Sequence, residues 1–183
     1  MQFTVNFRRG MGLRSLITFG AHSGNGDFLV AKMERGALSM TLSVLFALFL
    51  AQFFVGMALN LLVTFPTNHF PAGGGSFTDA LSYALTGGNL LLASHFLIDM
   101  MVIAVGAVNL ALTVHKGNLF RILSLVSFVF VLSAFVNGAR FVASNFAING
   151  ISYGMAGGFI GAFVLYFVMA MLMYRDIAVQ TNH

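Results

Sequence analysis

His95 and Asp99 stand four residues apart in an otherwise apolar run, an imidazole and a carboxyl on one side of a helix. Such a pair can exchange protons, and the imidazole alone can ligate a metal. Arg140, Asn137 and Asn60 lie in two other apolar runs, and His69 follows the first of them. Ionisable residues inside apolar spans mark functional sites by default. Two cofactors suit the set. A haem b takes one or two axial histidines, an apolar slot and cations for its propionates. His95 and His69 are the candidate iron ligands and Arg140 the propionate partner. A quinone would instead use His95 and Asp99 for proton exchange and Arg140 for a carbonyl oxygen. Equally, Asp99, Arg140 and His95 can form a satisfied network that holds three helices in register.

The elements that must position these residues are membrane spans. Of 183 residues, 58% are apolar and 8% charged, and the mean hydropathy is +0.91. So few charges cannot coat a water-soluble domain, which typically carries about 25%. Composition thereby excludes a soluble enzyme, a disordered chain and a nucleic-acid binder. The net charge of +4 rests on only nine Lys and Arg. In a membrane protein that excess reports orientation. With no cysteine, disulfides and thiolate sites are excluded.

A helix crosses a hydrocarbon core with about 20 apolar residues. Four stretches qualify, at 38–63, 88–114, 119–142 and 151–174. The expected fold class is all-α, an integral membrane four-helix up-down bundle. Residues 1–37 are read as a cytoplasmic tail with a short interfacial helix and a flexible turn at Gly20–Gly26. Residues 176–183 are read as a second tail. Arg8, Arg9, Arg14, Lys32 and Arg35 precede the first span, Lys116 and Arg121 flank the short second loop, and Arg175 follows the last span. The loops 64–80 and 143–150 carry no Lys or Arg. The positive-inside rule therefore places both termini in the cytoplasm of a cell-membrane protein.

Counting about 20 residues outward at ~1.5 Å each sets the depth of the polar groups. Asn60, His95 and Arg140 fall at one level, Gly56, Asp99 and Asn137 a turn deeper, and Gln52 deeper again. Gln52, Gly56 and Asn60 share a side of the first span, and Ser133, Asn137 and Arg140 a side of the third. Turning these sides inward predicts a polar pocket opening toward the outer face. The stretch 81–93 becomes a helix extension or a cap over it. Small residues recur at Ser39, Ser43, Ala47 and Ala51, and at Gly154, Gly157, Gly158 and Gly161. Their expected role is close helix packing.

The general layout resembles that of small four-helix membrane cytochromes. That resemblance implies histidines facing each other from two spans, whereas here only His95 is clearly within one. The preferred function is a small membrane subunit binding haem b or quinone in an electron-transfer complex. An accessory subunit of a larger membrane complex, or a homo-oligomer, is the alternative. Transport of a small solute is a third reading, although no span is broken by proline. Motifs of hydrolases and phosphate loops are absent, so the sequence names no reaction.

Overall fold

The computed structural model describes residues 24–65, 68–71, 74–87 and 89–181, with side chains described within 33–175. It is all-helical among these residues, with α1 Gly24–Leu62, α2 Phe77–Thr86, α3 Leu90–Thr113, α4 Asn118–Ala143 and α5 Asn149–Thr181. Four helices are long and apolar enough to cross a membrane: Met33–Leu62, Leu90–Thr113, Asn118–Ala143 and Asn149–Arg175. The chain is thus a multi-pass membrane protein by length and composition. The interfacial helix expected before Gly20 lies outside the described residues. Gly24 to Gly26, expected in a flexible turn, belong to α1. Residues 176–181 continue α5.

Apolar side chains face outward all round the spans, so packing rather than water exclusion must select the contacts. α5 approaches α4 through glycine. A Cβ at Gly158 would stand 2.8 Å from the Ala134 nitrogen and 2.9 Å from the Phe130 oxygen, and one at Gly161 would meet the Phe130 ring at 2.8 Å. At Gly154 the Asn137 amide fills the equivalent space. Gly157 meets nothing within 4 Å and lies off this seam. α1 packs on α3, α3 on α4, and α1 also touches α5. Ser43 and Ala47 of the small-residue stripe on α1 are exposed rather than packed.

The stretch read as a helix extension or a cap is a separate helix, α2, lying on α3 and α4. Ser76 starts it. Its hydroxyl accepts from the Asp79 backbone N–H (3.1 Å), and the Asp79 carboxylate accepts from the Ser76 backbone N–H (2.8 Å). This reciprocal capping box fixes the first turn. The Ser76 hydroxyl and backbone N–H hold the Asp79 carboxyl below its usual range. The cap is therefore complete at neutral pH and is lost as pH falls through that lowered value. Ala80 and Ala84 bury against Leu59, Leu92 and Val142, bringing α2 down onto the bundle end.

Asn145, beyond α4, ties that end together. Its Oδ1 accepts from the Phe70 backbone N–H (2.8 Å), and its Nδ2 donates to the Phe70 carbonyl (3.2 Å). Asn145 and Phe146 both take positive φ, 55° and 59°. Asn tolerates that region and Phe does not readily. Phe146 is held there by stacking on Phe65 at 3.9 Å.

A second polar layer, buried except at Thr41, lies toward the other end. The Ser124 hydroxyl donates to Asn109 Oδ1 (2.9 Å), and Asn109 Nδ2 donates to Thr41 Oγ1 (3.1 Å). This joins α1, α3 and α4 through the Asn109 amide. Leu45, Phe49, Val102 and Met169 form the apolar core between this layer and the α2 end.

Candidate functional site

Gln52 of α1 is 5% exposed, in a helix whose neighbours on that face are Phe49 and Leu45. Its amide reaches α3 between His95 and Asp99. Gln52 Nε2 donates to Asp99 Oδ1 at 2.6 Å and lies 3.1 Å from His95 Nε2. An amide nitrogen has two N–H groups and no acceptor. One hydrogen serves the carboxylate, so the other serves the imidazole, whose Nε2 must accept. The His95 proton then sits on Nδ1. With Asp99 ionised, the carboxylate fixes the amide orientation, because the reverse would set oxygen against oxygen.

Two atoms of this cluster are buried without a hydrogen-bond partner, Gln52 Oε1 and His95 Nδ1. One is an acceptor and the other, in this tautomer, a donor. Native proteins rarely leave such atoms unsatisfied, and a ligand or water is the usual explanation. The imidazole edge lies against Gly56, where a Cβ would stand 3.2 Å from His95 Cε1. The missing side chain at Gly56 is what lets the ring reach α1.

The cluster borders two cavities. The larger, about 290 Å³, is lined by Gln52, Gly56, Asn60, His95 and Asp99 together with Phe53, Met57, Met155, Phe159 and Ile160. Phe53, Met57 and Ile160 are exposed, at 50%, 44% and 59%. This cavity is thus bounded by the outer surface between α1 and α5, and not only by the bundle end. The smaller, about 50 Å³, lies beneath α2 and is lined by Ala80, Ala84, His95, Asp99, Gly138 and Ala139, among others.

The structure brings His95, Asp99 and Asn60 to one cavity. It does not bring Asn137, Arg140 or His69 there. α4 presents Phe135, Gly138, Ala139 and Val142 to the His95–Asp99 pair instead of Ser133, Asn137 and Arg140. Asn137 faces α5 at Gly154, and its Nδ2 donates to the Ser133 carbonyl of its own helix (2.8 Å). Arg140 is exposed beside a separate hollow with Gly74, Gly75 and Ser144. The expected Asp99–Arg140 ion pair is not formed; Gln52 takes its place. The reason is the glycine seam, which commits the Phe130–Ala134 ridge of α4 to α5. His69 is exposed and packs at a tilt against Tyr83 at 4.1 Å, with Phe70 edge-on at 4.7 Å. It belongs to the cap and does not share a cavity with His95. Among the described residues no group of three His, Asp or Glu is placed to hold a metal ion.

Gln52 and Gly56 were on the right face of α1 by periodicity, yet neither is ionisable and neither stood out as a site residue. Phe53, Met57, Met155 and Phe159 carry no signal that separates a cavity wall from lipid-facing surface.

No protein-family model matches the sequence, and neither a curated protein nor a solved structure shows significant similarity to the chain. Function has to be argued from the cluster and its cavities.

Proposed function

We propose that the chain is a small membrane subunit that binds the ring of a quinone or quinol in the 290 Å³ cavity and exchanges protons with it. The carrying observation is the pair of buried unpartnered atoms, Gln52 Oε1 and His95 Nδ1, on two side chains that line an apolar cavity. When the wall parts to admit it, a ring carbonyl accepts from His95 Nδ1–H and a ring hydroxyl donates to Gln52 Oε1. The rest of the wall is aromatic, aliphatic or Met, as a lipophilic ligand requires. Size agrees. A cavity of ~150 Å³ takes benzene, so about twice that volume takes one substituted ring. A quinone tail can leave past Phe53, Met57 and Ile160 into lipid.

A haem b fits less well, because its macrocycle is several times larger than one ring and no second histidine lines the cavity. Transport has less support, since Leu45, Phe49, Val102 and Met169 interrupt any polar route. The electrons of a quinone reaction must come from a partner in an electron-transfer complex. The exposed Ser43 and Ala47 favour such a partner helix, and also favour the second reading, an accessory subunit with no ligand. The basic residues before α1, between α3 and α4 and after Tyr174 favour cytoplasmic termini in a cell membrane, and hence α2 on the outer face.

Decylubiquinone separates these readings. At about 100 times its Kd a ligand adds ~2.7 kcal/mol to stability. The purified protein should melt several degrees higher with the quinone, and Gly56→Leu, which fills the imidazole edge of the cavity, should abolish the rise. Absence of any rise in the unaltered protein would leave the accessory reading. A Soret band lost in His95→Ala would install haem instead.

A further inference from the structure

His95 and Asp99 line both cavities, so the two side chains are the wall between them. One cavity is walled largely by apolar side chains that reach the outer surface of α1 and α5. The other lies between α2, α3 and α4, with Leu81 and the half-buried rings of Phe96 and Phe135 in its wall. Its volume, about 50 Å³, exceeds the roughly 10–15 Å³ that one water needs by this kind of measure. Water also needs polar partners. The Asp99 carboxyl supplies one and neighbouring waters in the same cavity the others; among the described residues, Asp99 and His95 are the only ionisable groups in either wall. Toward the far end of the bundle, Leu45, Phe49, Val102, Tyr166 and Met169 are each less than 5% exposed and leave no comparable route.

We propose that the cavity beneath α2 is a water site through which the Asp99 carboxyl exchanges its proton with the α2 face of the bundle alone. Its use in turnover rests on the ring-binding reading above. The ring would then be met on one side of the pair and water on the other. The step is a proton passing between a carboxyl oxygen and a cavity water, and no electron moves. Ala139 of α4 and Ala84 of α2 set the bore, because each lines the cavity with only a methyl group.

The chain has no cysteine, so a single introduced thiol is unique. Asp99→Cys reports access to the cluster, and Ser82→Cys, on the exposed side of α2, reports which membrane face α2 occupies. Silver(I), about the size of water and excluded from lipid, is the probe, applied to intact cells and to inverted vesicles. The Asp99→Cys thiol should react from the same side as the Ser82→Cys thiol and not from the other. Adding Ala139→Val or, separately, Ala84→Val should slow that reaction at least tenfold. Reaction from the opposite face, reaction indifferent to both fillings, or no reaction from either face would overturn the proposal. Decylubiquinone binding is measured in parallel on the Ala139→Val protein with Asp99 intact, and should match the unaltered chain. Failure of quinone binding in the unaltered chain would remove the ring reading while leaving the silver result to stand or fall by itself.

Discussion

Gly158→Leu should leave little folded protein. The first atom of any side chain there meets the Ala134 nitrogen at 2.8 Å and the Phe130 oxygen at 2.9 Å. Both are backbone atoms of α4, which cannot swing aside as a rotamer would. Overpacking that side chains can absorb costs ~1–3 kcal/mol, and this site has no such relief. Against a total stability of about 5–15 kcal/mol, separating α4 from α5 is expected to remove most of it. In lipid no hydrophobic gain between helices compensates for the lost fit. Gly158→Ala should already lower the melting midpoint in detergent clearly. Gly157→Leu is the control, because nothing lies within 4 Å of its Cβ position. That variant should melt within a degree or two of the original. Equal behaviour of the two leucine variants would mean that the seam is elsewhere.

Gln52→Leu is expected to have the second largest effect, and it acts on the site. The change keeps the side chain's size and removes the N–H groups that reach Asp99 Oδ1 and His95 Nε2. A buried charged group stripped of its partner costs roughly 3 kcal/mol. The Asp99→Leu change in the same chain should recover much of that loss, since no carboxyl is then left unpaired. The coupling between the two positions, read from the double-mutant cycle, should exceed 1 kcal/mol, within the ~0.5–3 kcal/mol range for contacting groups. Quinone binding should vanish in both variants. Additive losses would show that the amide and the carboxyl do not depend on each other.

Much of the frame could be read from the residues. Hydropathy located four spans. Counting from the basic ends sets His95 level with Asn60 and Gln52 deeper than Asp99, whereas His95 lies against Gly56 and Gln52 reaches both His95 and Asp99, about one turn off that register. The rotation of the third span could not be read the same way. Polarity suggested that Asn137 and Arg140 face inward with Ser133. Asn137 needs no interior partner, because the Ser133 carbonyl one turn back accepts from it. Arg140 sits near the helix end, where a long side chain reaches out of the apolar layer. What rotates α4 is the contact of Gly158 and Gly161 with Phe130 and Ala134, a matter of shape rather than polarity. Gln52 carries a weak signal for a related reason. A neutral amide in a span reads as a packing residue until the two acceptors on the neighbouring helix are seen together. The Asn145 clamp on Phe70 spans 75 residues and has no local signature.

The most direct test of the account is the nitrogen-15 spectrum of His95 in the purified protein, with and without decylubiquinone. The expected result is an imidazole protonated on Nδ1 and bare on Nε2, with the Nδ1 signal moving as quinone is added. In the Gly56→Leu protein the signal should stay still. A proton on Nε2, or an Nδ1 signal indifferent to quinone in the unaltered chain, would contradict it.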